Sequence, residues 1–204
     1  MAMAANRLPL FPLPLLPMPG ERRMLHIFEL RFQKLFNELE DMTLDEFGIA
    51  HLDNGRLTGV GARMRLVVVE RMGTGGERNV MVQCVGLFRI LSFRSHAEGE
   101  SVPVDYPQGN VKPFKGWRDW QTGQEAKREW MEHWVENPAT GLAMVPPDDL
   151  VGFLAQTQTP PLLRAQLLKL DSPADRDLKL AEWMKTQRLI RMQERHRQGG
   201  LFPN

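Results

Sequence analysis

The sequence predicts an α+β protein in which an antiparallel β-barrel subdomain, residues 1–115, is followed by an α-helical subdomain, residues 116–204. Two observations lead to this prediction. Apolar, β-branched runs separated by turn signals recur through the first half of the chain, which is typical of an antiparallel barrel or meander. Beyond Gly116 these runs vanish, and apolar residues return at the intervals of three and four that are typical of helices.

The segment from Leu8 to Phe36 opens the barrel with an apolar run that is rich in proline. Proline lacks an N–H and clashes with a preceding helical turn, and the residue before it is pushed towards extended conformations. We therefore predict an extended ribbon that forms the first strand and its connection, followed by a turn at Pro19-Gly20. The chain then resumes as a strand over Met24–Phe28 and continues as a helix over Glu29–Glu40.

The remaining strands of the barrel are predicted from apolar runs bounded by glycine-rich turns. They cover Phe47–Leu52, Gly59–Met72, Arg78–Val85, Gly86–Phe93 and, as an edge strand that contains a proline, Ser101–Tyr106. Asn54-Gly55 predicts a hairpin turn, because both residues accept positive φ. Gly86 predicts a bulge. The segment Gln108–Gly116 is predicted to be a polar joint between the subdomains.

Four helices are predicted in the second subdomain. Thr122 and Glu125 fit a capping box at the start of the first helix, which is expected to end before Asn137. The second and third helices are predicted over Pro147–Gln156 and Pro161–Leu170. The last helix is predicted to begin at Ser172, with Pro173 in its first turn, and to run to about residue 197.

Composition and charge argue against several classes of partner and location. The formal net charge of +1 gives no electrostatic argument for a nucleic acid or a membrane as partner, so we expect neither. No stretch approaches the ~18 uninterrupted apolar residues of a membrane helix. The prolines also set the N-terminal run apart from a signal peptide. One cysteine, Cys84, permits no internal disulfide, and we expect a cytoplasmic protein in which this thiol is buried and inert.

Motifs for catalysis and for cofactor binding are not found in the sequence. The glycine loop Gly73–Gly76 leads into a strand, whereas a phosphate-binding loop leads into a helix. The histidines have no second ligand at a spacing typical of a metal site, and no G-x-S-x-G elbow occurs. We therefore predict a protein that is not an enzyme, with no catalytic residues, no metal and no cofactor.

Two groups of side chains remain as possible contact surfaces. Trp117 and Trp120 lie near the predicted joint, where aromatic residues can anchor an interface, although tryptophans of this region can equally belong to the core. The last helix carries a basic stripe at Lys185, Arg188, Arg191 and Arg195. Such a stripe is either a solvated face, favoured near a helix C-terminus, or a contact for acidic protein or nucleic acid.

The opening segment resembles the start of the Lon protease N-terminal domain family, which has an apolar, proline-rich strand, a Pro-Gly turn and a segment like LHIFE before a helix. Here Pro19-Gly20 matches the turn, and Leu25–Glu29 with Arg31 matches the rest. Later segments resemble the same domain in order. They are Phe47–Ile49, Gly59–Val69, Val82–Phe93 and Leu163–Leu170 with the residues up to Trp183. The resemblance implies a PUA-like β-barrel followed by helices.

In full-length Lon this domain helps to bind protein substrates and to assemble the oligomer. The ATPase and Ser-Lys protease modules have no counterpart in this sequence, so the resemblance implies a stand-alone, non-catalytic protein- or peptide-binding module. Its partner would be an unfolded or extended polypeptide, with or without a protease in trans. We predict Leu16, Met18, Met24 and Phe28 as contact residues, because the ribbon holds more apolar side chains than one strand can bury. The alternative is a PUA-like RNA-binding protein that uses the basic stripe.

Overall fold

The computed structural model describes residues 6–71, 76–95, 106–133, 147–157 and 159–199. The elements in chain order are β1 (Asn6–Leu13), β2 (Arg22–Ile27), α1 (Leu30–Glu40), β3 (Phe47–Asp53), β4 (Arg56–Arg71), β5 (Arg78–Arg94), β6 (Gln108–Pro113), α2 (Gln124–His133), α3 (Leu150–Gln156), α4 (Pro161–Lys169) and α5 (Pro173–Gly199). The α+β prediction is confirmed. The chain divides into two compact units. The first runs to Trp117 and includes Thr157–Gln166, and the second comprises Arg118–Gln156 and the residues from Leu167 onward.

The six strands form one sheet in the order β2-β5-β4-β3-β1-β6, and β6 also pairs with β5. Five strands therefore close into a ring, while β2 lies outside it and, within the described residues, pairs with β5 alone. The predicted antiparallel pattern holds except between β1 and β3, which are parallel. Parallel neighbours need a crossover connection, and β2 with α1 supplies it between these two strands.

The two strands predicted over Arg78–Val85 and Gly86–Phe93 are one continuous strand, β5. The pairing of β4 with β5 steps from Arg63↔Gly86 to Met64↔Cys84, which leaves Val85 as an extra residue beside the predicted bulge. The predicted turn between β3 and β4 is also present, with φ of 47° at Asn54 and 75° at Gly55.

The predicted joint over Gln108–Gly116 is wrong, because most of it is strand β6. This strand is polar in sequence, and it forms because both of its edges are paired, one with β1 and the other with β5. A Cβ at Gly109 would lie 2.4 Å from the carbonyl oxygen of Ser92, so only glycine permits this close approach. The predicted strand Ser101–Tyr106 lies outside the described residues except for Tyr106.

Helix α1 covers the interior of the first unit. Its buried side chains are Phe32, Leu35, Phe36 and Leu39. Phe32 stacks on Phe11 of β1, with ring centroids 3.8 Å apart, and Phe36 meets Phe47 of β3 edge to face. These contacts attach the predicted ribbon to the helix that follows it in sequence.

The second unit has a different helix cap from the one predicted. Helix α2 begins at Gln124, so Thr122 is too early to cap it, and its hydroxyl donates instead to the carbonyl of Pro147 at 3.2 Å. The backbone N–H groups of Glu125 and Ala126 donate to the carboxylate of Asp177 in α5, at 3.1 and 2.9 Å. The capping box is therefore wrong, and a residue distant in sequence takes its place. The predicted cap of α5 is present, with the N–H of Asp175 donating to the Ser172 hydroxyl.

Candidate binding surface

Strand β2 turns one row of side chains to the core and the other row to solvent. Leu25 and Ile27 are buried, while Met24, His26 and Phe28 share the opposite face because alternate residues of a strand lie on one side. Met24 is 57% exposed and Phe28, directly after the strand, is 59% exposed. The rings of His26 and Phe28 stack with centroids 5.9 Å apart, so Phe28 continues the outward row.

The exposed row of β2 extends across two neighbouring strands. Met24 pairs in register with Met81 of β5, and Met81 pairs with Val68 of β4. Val68 is exposed, as is Val67, which is the extra residue where the pairing of β4 with β5 shifts register. We call these five residues, Met24, Phe28, Val67, Val68 and Met81, the apolar strip. Four of these side chains are exposed, and Met81, which lies between β2 and β4, is half-buried.

Polar groups border the apolar strip. His26 Nδ1 lies 3.1 Å from the side-chain oxygen of Asn79, its register partner on β5. Asn79 in turn pairs with Glu70 of β4. Arg22 begins β2 and is exposed on the other side of Met24. A patch that is apolar at its centre and polar at its rim has the anatomy of a protein-contact surface.

Two of the predicted contact residues are not on this surface. Leu16 and Met18 are buried, with 2% and 0% of their surface exposed, so the prediction that they contact a partner is wrong. The cause is a buried ion pair. Arg164 of α4 donates to both carboxylate oxygens of Glu21 and to the carbonyl of Leu16, while the N–H of Met18 donates to Glu21 at 2.7 Å. These bonds hold the ribbon against the first unit.

The two tryptophans are both half-buried. Trp117 begins a short 3-10 turn over Trp117–Asp119 and is half-buried. Trp120 is half-buried too, with the guanidinium of Arg176 centred 4.5 Å from its ring. Its carbonyl accepts from the N–H of Leu150, which leads into α3. Trp120 is thus part of the packing of the second unit, and its role in partner binding stays a prediction.

The basic stripe is not a uniform solvated face. Lys185 is exposed, but Arg188 is 34% exposed and its Nε lies 3.4 Å from the carboxylate of the buried Glu129 in α2. Arg188 therefore neutralises a buried acid of its own unit, which corrects the prediction for that residue. Arg191 and Arg195 belong to α5, and their side chains lie outside the described residues.

The single cysteine, Cys84, does not have the properties of a reactive thiol. Burial raises the pKa of the Cys84 thiol to about 12, so the thiol is protonated at neutral pH and is a poor nucleophile. In the described part of the chain, no group of three or more His, Cys, Asp or Glu side chains is arranged to hold a metal ion. No helix among the described residues is long and apolar enough to cross a membrane.

Sequence reasoning identified Met24 and Phe28 but missed His26, Met81 and the two valines. His26 lies on the same face of β2 as Met24, whereas only the pairing of β2, β5 and β4 brings Met81 and the two valines towards Met24. One signal was present in the sequence. Val67-Val68-Val69 follows Leu66 without alternation, although a half-buried strand normally alternates apolar and polar residues. Such a run on a sheet with one wet face forces apolar side chains outward.

The ring of strands, with its outer strand and the helices of the chain, places the chain in the α+β class. The fold is that of Lon N-terminal domains. A Lon N-terminal domain protein from Xanthomonas campestris matches with a TM-score of 0.64 and 22% identity, covering 88% of this chain and 99% of that one. The N-terminal domain of a Mycobacterium avium complex Lon protease matches with a TM-score of 0.59 and 14% identity, covering 88% and 98%. No family model and no curated protein matches the sequence.

The resemblance found in the opening segment is therefore confirmed at the level of the fold. At these identities the likeness carries the arrangement of strands and helices and nothing about ligands. What the chain does has to be argued from its own surface.

Proposed function

We propose that this chain is a non-catalytic polypeptide-binding module whose contact surface is the apolar strip. The observation that supports the proposal is the exposure of Met24 on β2, of Phe28 directly after it and of Val67 and Val68 on β4, with the half-buried Met81 of β5 between them. Burying such a patch against a partner removes apolar surface from water, which favours binding by a free energy of roughly 25 cal/mol for each Å² of apolar surface buried. Methionines suit a surface that must fit different sequences, because their unbranched chains adapt their shape.

The partner in this proposal is an unfolded or extended polypeptide. Two observations favour it over a folded protein of one shape. The strip crosses β2, β5 and β4, so an extended chain laid across these three strands can contact all of its side chains. The opening segment also resembles the Lon protease N-terminal domain family, and that resemblance implies a domain that helps to bind protein substrates. The proposal includes cooperation with a protease in trans. It also includes a cytoplasmic setting, which is favoured by the single, buried cysteine.

The test is a binding titration with a short, fluorescently labelled peptide rich in Leu and Phe, followed by anisotropy. The wild-type chain is compared with a double variant, Met24→Ser and Phe28→Ser. We expect the double variant to bind about tenfold more weakly, because it removes two exposed apolar contacts of the strip. Both residues are largely exposed, so the variant is expected to fold normally.

The matched control is Leu91→Ser. Leu91 lies on β5, is exposed to the same extent as Met24 at 57%, and belongs to the half of β5 that pairs with β6. Its replacement removes the same kind of surface elsewhere on the sheet. Equal loss in the control and in the double variant, or no loss in either, would reject the strip as the binding surface.

RNA binding is the competing function, and it is tested in the same titration. The pairing of Arg188 with Glu129 reduces the charge that the basic stripe can offer to phosphate. A labelled single-stranded RNA is expected not to bind the chain, even at low ionic strength. Salt-dependent RNA binding that is lost on Lys185→Gln would favour the alternative.

A further inference from the structure

A second surface feature of the first unit is a pocket of about 950 Å³ where α1 ends and β3 begins. We call its apolar lining residues, which include Leu39, Leu44 and Leu66, the apolar wall. We call its charged lining residues the charged wall, and these are Arg7, Asp45, Glu46, Arg63 and Arg65. A concave site with an apolar wall and a few convergent polar groups is the usual form of a ligand site.

The charged wall is built around one carboxylate. Arg63 donates to one oxygen of Glu46 at 3.1 Å, and Arg65 donates to the other oxygen at 3.0 Å. Two guanidinium groups therefore share a single carboxylate, which leaves positive charge in excess at this point. The Nη2 atom of Arg63 is buried and makes no hydrogen bond within the described residues, so Glu46 satisfies this guanidinium only in part.

The charge of the whole pocket limits the kind of anion it suits. Three arginines and two acidic residues line it, which leaves one net positive charge. That balance fits a single carboxylate, whereas a nucleic acid strand brings one negative charge with every nucleotide. The apolar wall fits large apolar side chains beside the carboxylate.

We infer that this pocket binds an acidic side chain, Asp or Glu, of an extended polypeptide in which large apolar residues flank the acid. Arg65 and Arg7, both exposed, receive the carboxylate, and the leucine wall receives the apolar neighbours. The pocket is open to solvent, so a side chain of an extended polypeptide can enter it. The choice of a polypeptide as ligand rests on the proposed function, and the choice of an acid rests on the pocket alone.

The test uses two short peptides that differ at one position. Both are amidated at the C-terminus, and each has a central residue flanked by Leu and Phe, which is Glu in one peptide and Gln in the other. We expect the wild-type chain to bind the Glu peptide about fivefold more tightly, because charge-assisted hydrogen bonds are stronger than neutral ones and partial exposure weakens them. This preference is expected to shrink as salt is raised.

Three variants locate the preference. Arg65→Gln and Arg7→Gln should each reduce the preference for Glu, and the double variant should abolish it while the Gln peptide still binds. Arg56→Gln is the control, since Arg56 is exposed at the start of β4, opposite Asp53 at the far end of β3, and does not line the pocket. It is expected to keep the full preference. A preference that persists in the double variant would overturn the assignment to this pocket.

The outcomes separate this inference from the proposed function. If both peptides bind equally and Met24→Ser with Phe28→Ser weakens both, the apolar strip stands and the pocket inference fails. If neither peptide binds, both fail. If the peptides do not bind and a single-stranded RNA does so in a manner that depends on Arg65, the pocket serves phosphate and the inference is overturned.

Discussion

The two halves of the opening segment are alike in composition, but only the second exposes several of its large apolar side chains while it buries others. Leu8–Met18 and Met24–Leu30 are both apolar in sequence, yet Leu16 and Met18 are buried while Met24, Phe28 and Leu30 are exposed. The first half is held by Glu21 and Arg164, which lie 143 positions apart in the sequence. The second half lies on an outer strand that has one wet face. Burial is thus decided by tertiary partners, and composition alone does not separate a core segment from a contact surface.

The largest effect is expected on breaking the ion pair that fixes the buried half. Arg164→Met leaves the carboxylate of Glu21 without its main partner in a poorly hydrated site. We expect the free energy of unfolding to fall by about 3–5 kcal/mol, as measured by urea denaturation. The comparison is Arg23→Met, because Arg23 binds the same carboxylate from a position that is 41% exposed. Its loss should cost less than about 1 kcal/mol, and equal losses would refute the role of Arg164.

Matched methionine truncations should reproduce the contrast between the two halves. Met18→Ala removes a fully buried side chain and should lower the free energy of unfolding by about 2–4 kcal/mol. Met24→Ala removes an exposed side chain and should change it by less than about 0.5 kcal/mol. Denaturation of the two variants side by side checks the prediction. A costly Met24→Ala would show that this residue is structural.

The burial of Cys84 can be tested through the pH dependence of stability. Cys84 lies beside the end of the buried half, because its backbone makes hydrogen bonds with Gly20 and Glu21. Its pKa is about 12 in the folded chain and 9.0 without the fold, as burial disfavours the thiolate. The thiol of the unfolded chain therefore loses its proton at a lower pH than the thiol of the folded chain. The contribution of the protonated thiol to the free energy of unfolding is complete below pH 9, and it is lost as the pH rises from 9 towards 12.

Over this range the stability of the wild-type chain should fall more steeply than that of Cys84→Ala, by up to about 1.4 kcal/mol for each pH unit. Denaturation of both chains at a series of pH values gives the two slopes. Parallel slopes would mean that Cys84 is accessible to water in the folded chain.

Local chemistry predicted much of the fold. Prolines made the ribbon extended, three- and four-residue spacing gave α1, and Asn54-Gly55 gave its turn. Strand β6 was missed because it is polar and owes its structure to pairing with β1 and β5, which are distant in sequence. The cap of α2 was missed for the same reason, since Asp177 supplies it from α5.

The candidate surface was only half predictable. Met24 and Phe28 stood out because they lie in an apolar run that is too long for one strand to bury. Met81 and Val68 join them through strand register, which depends on bulges that composition does not specify. The burial of Leu16 and Met18 depended on Arg164, a residue with no local signal.

The apolar strip is tested most directly by methyl NMR on chain labelled at its methionines. On addition of the Leu- and Phe-rich peptide, the methyl signals of Met24 and Met81 should shift, while those of the buried Met18 and Met64 should stay in place. Exposed Met131 in α2 serves as an internal control and should not move. Shifts at Met131 or Met18 without shifts at Met24 and Met81 would contradict the assignment of the strip as the binding surface.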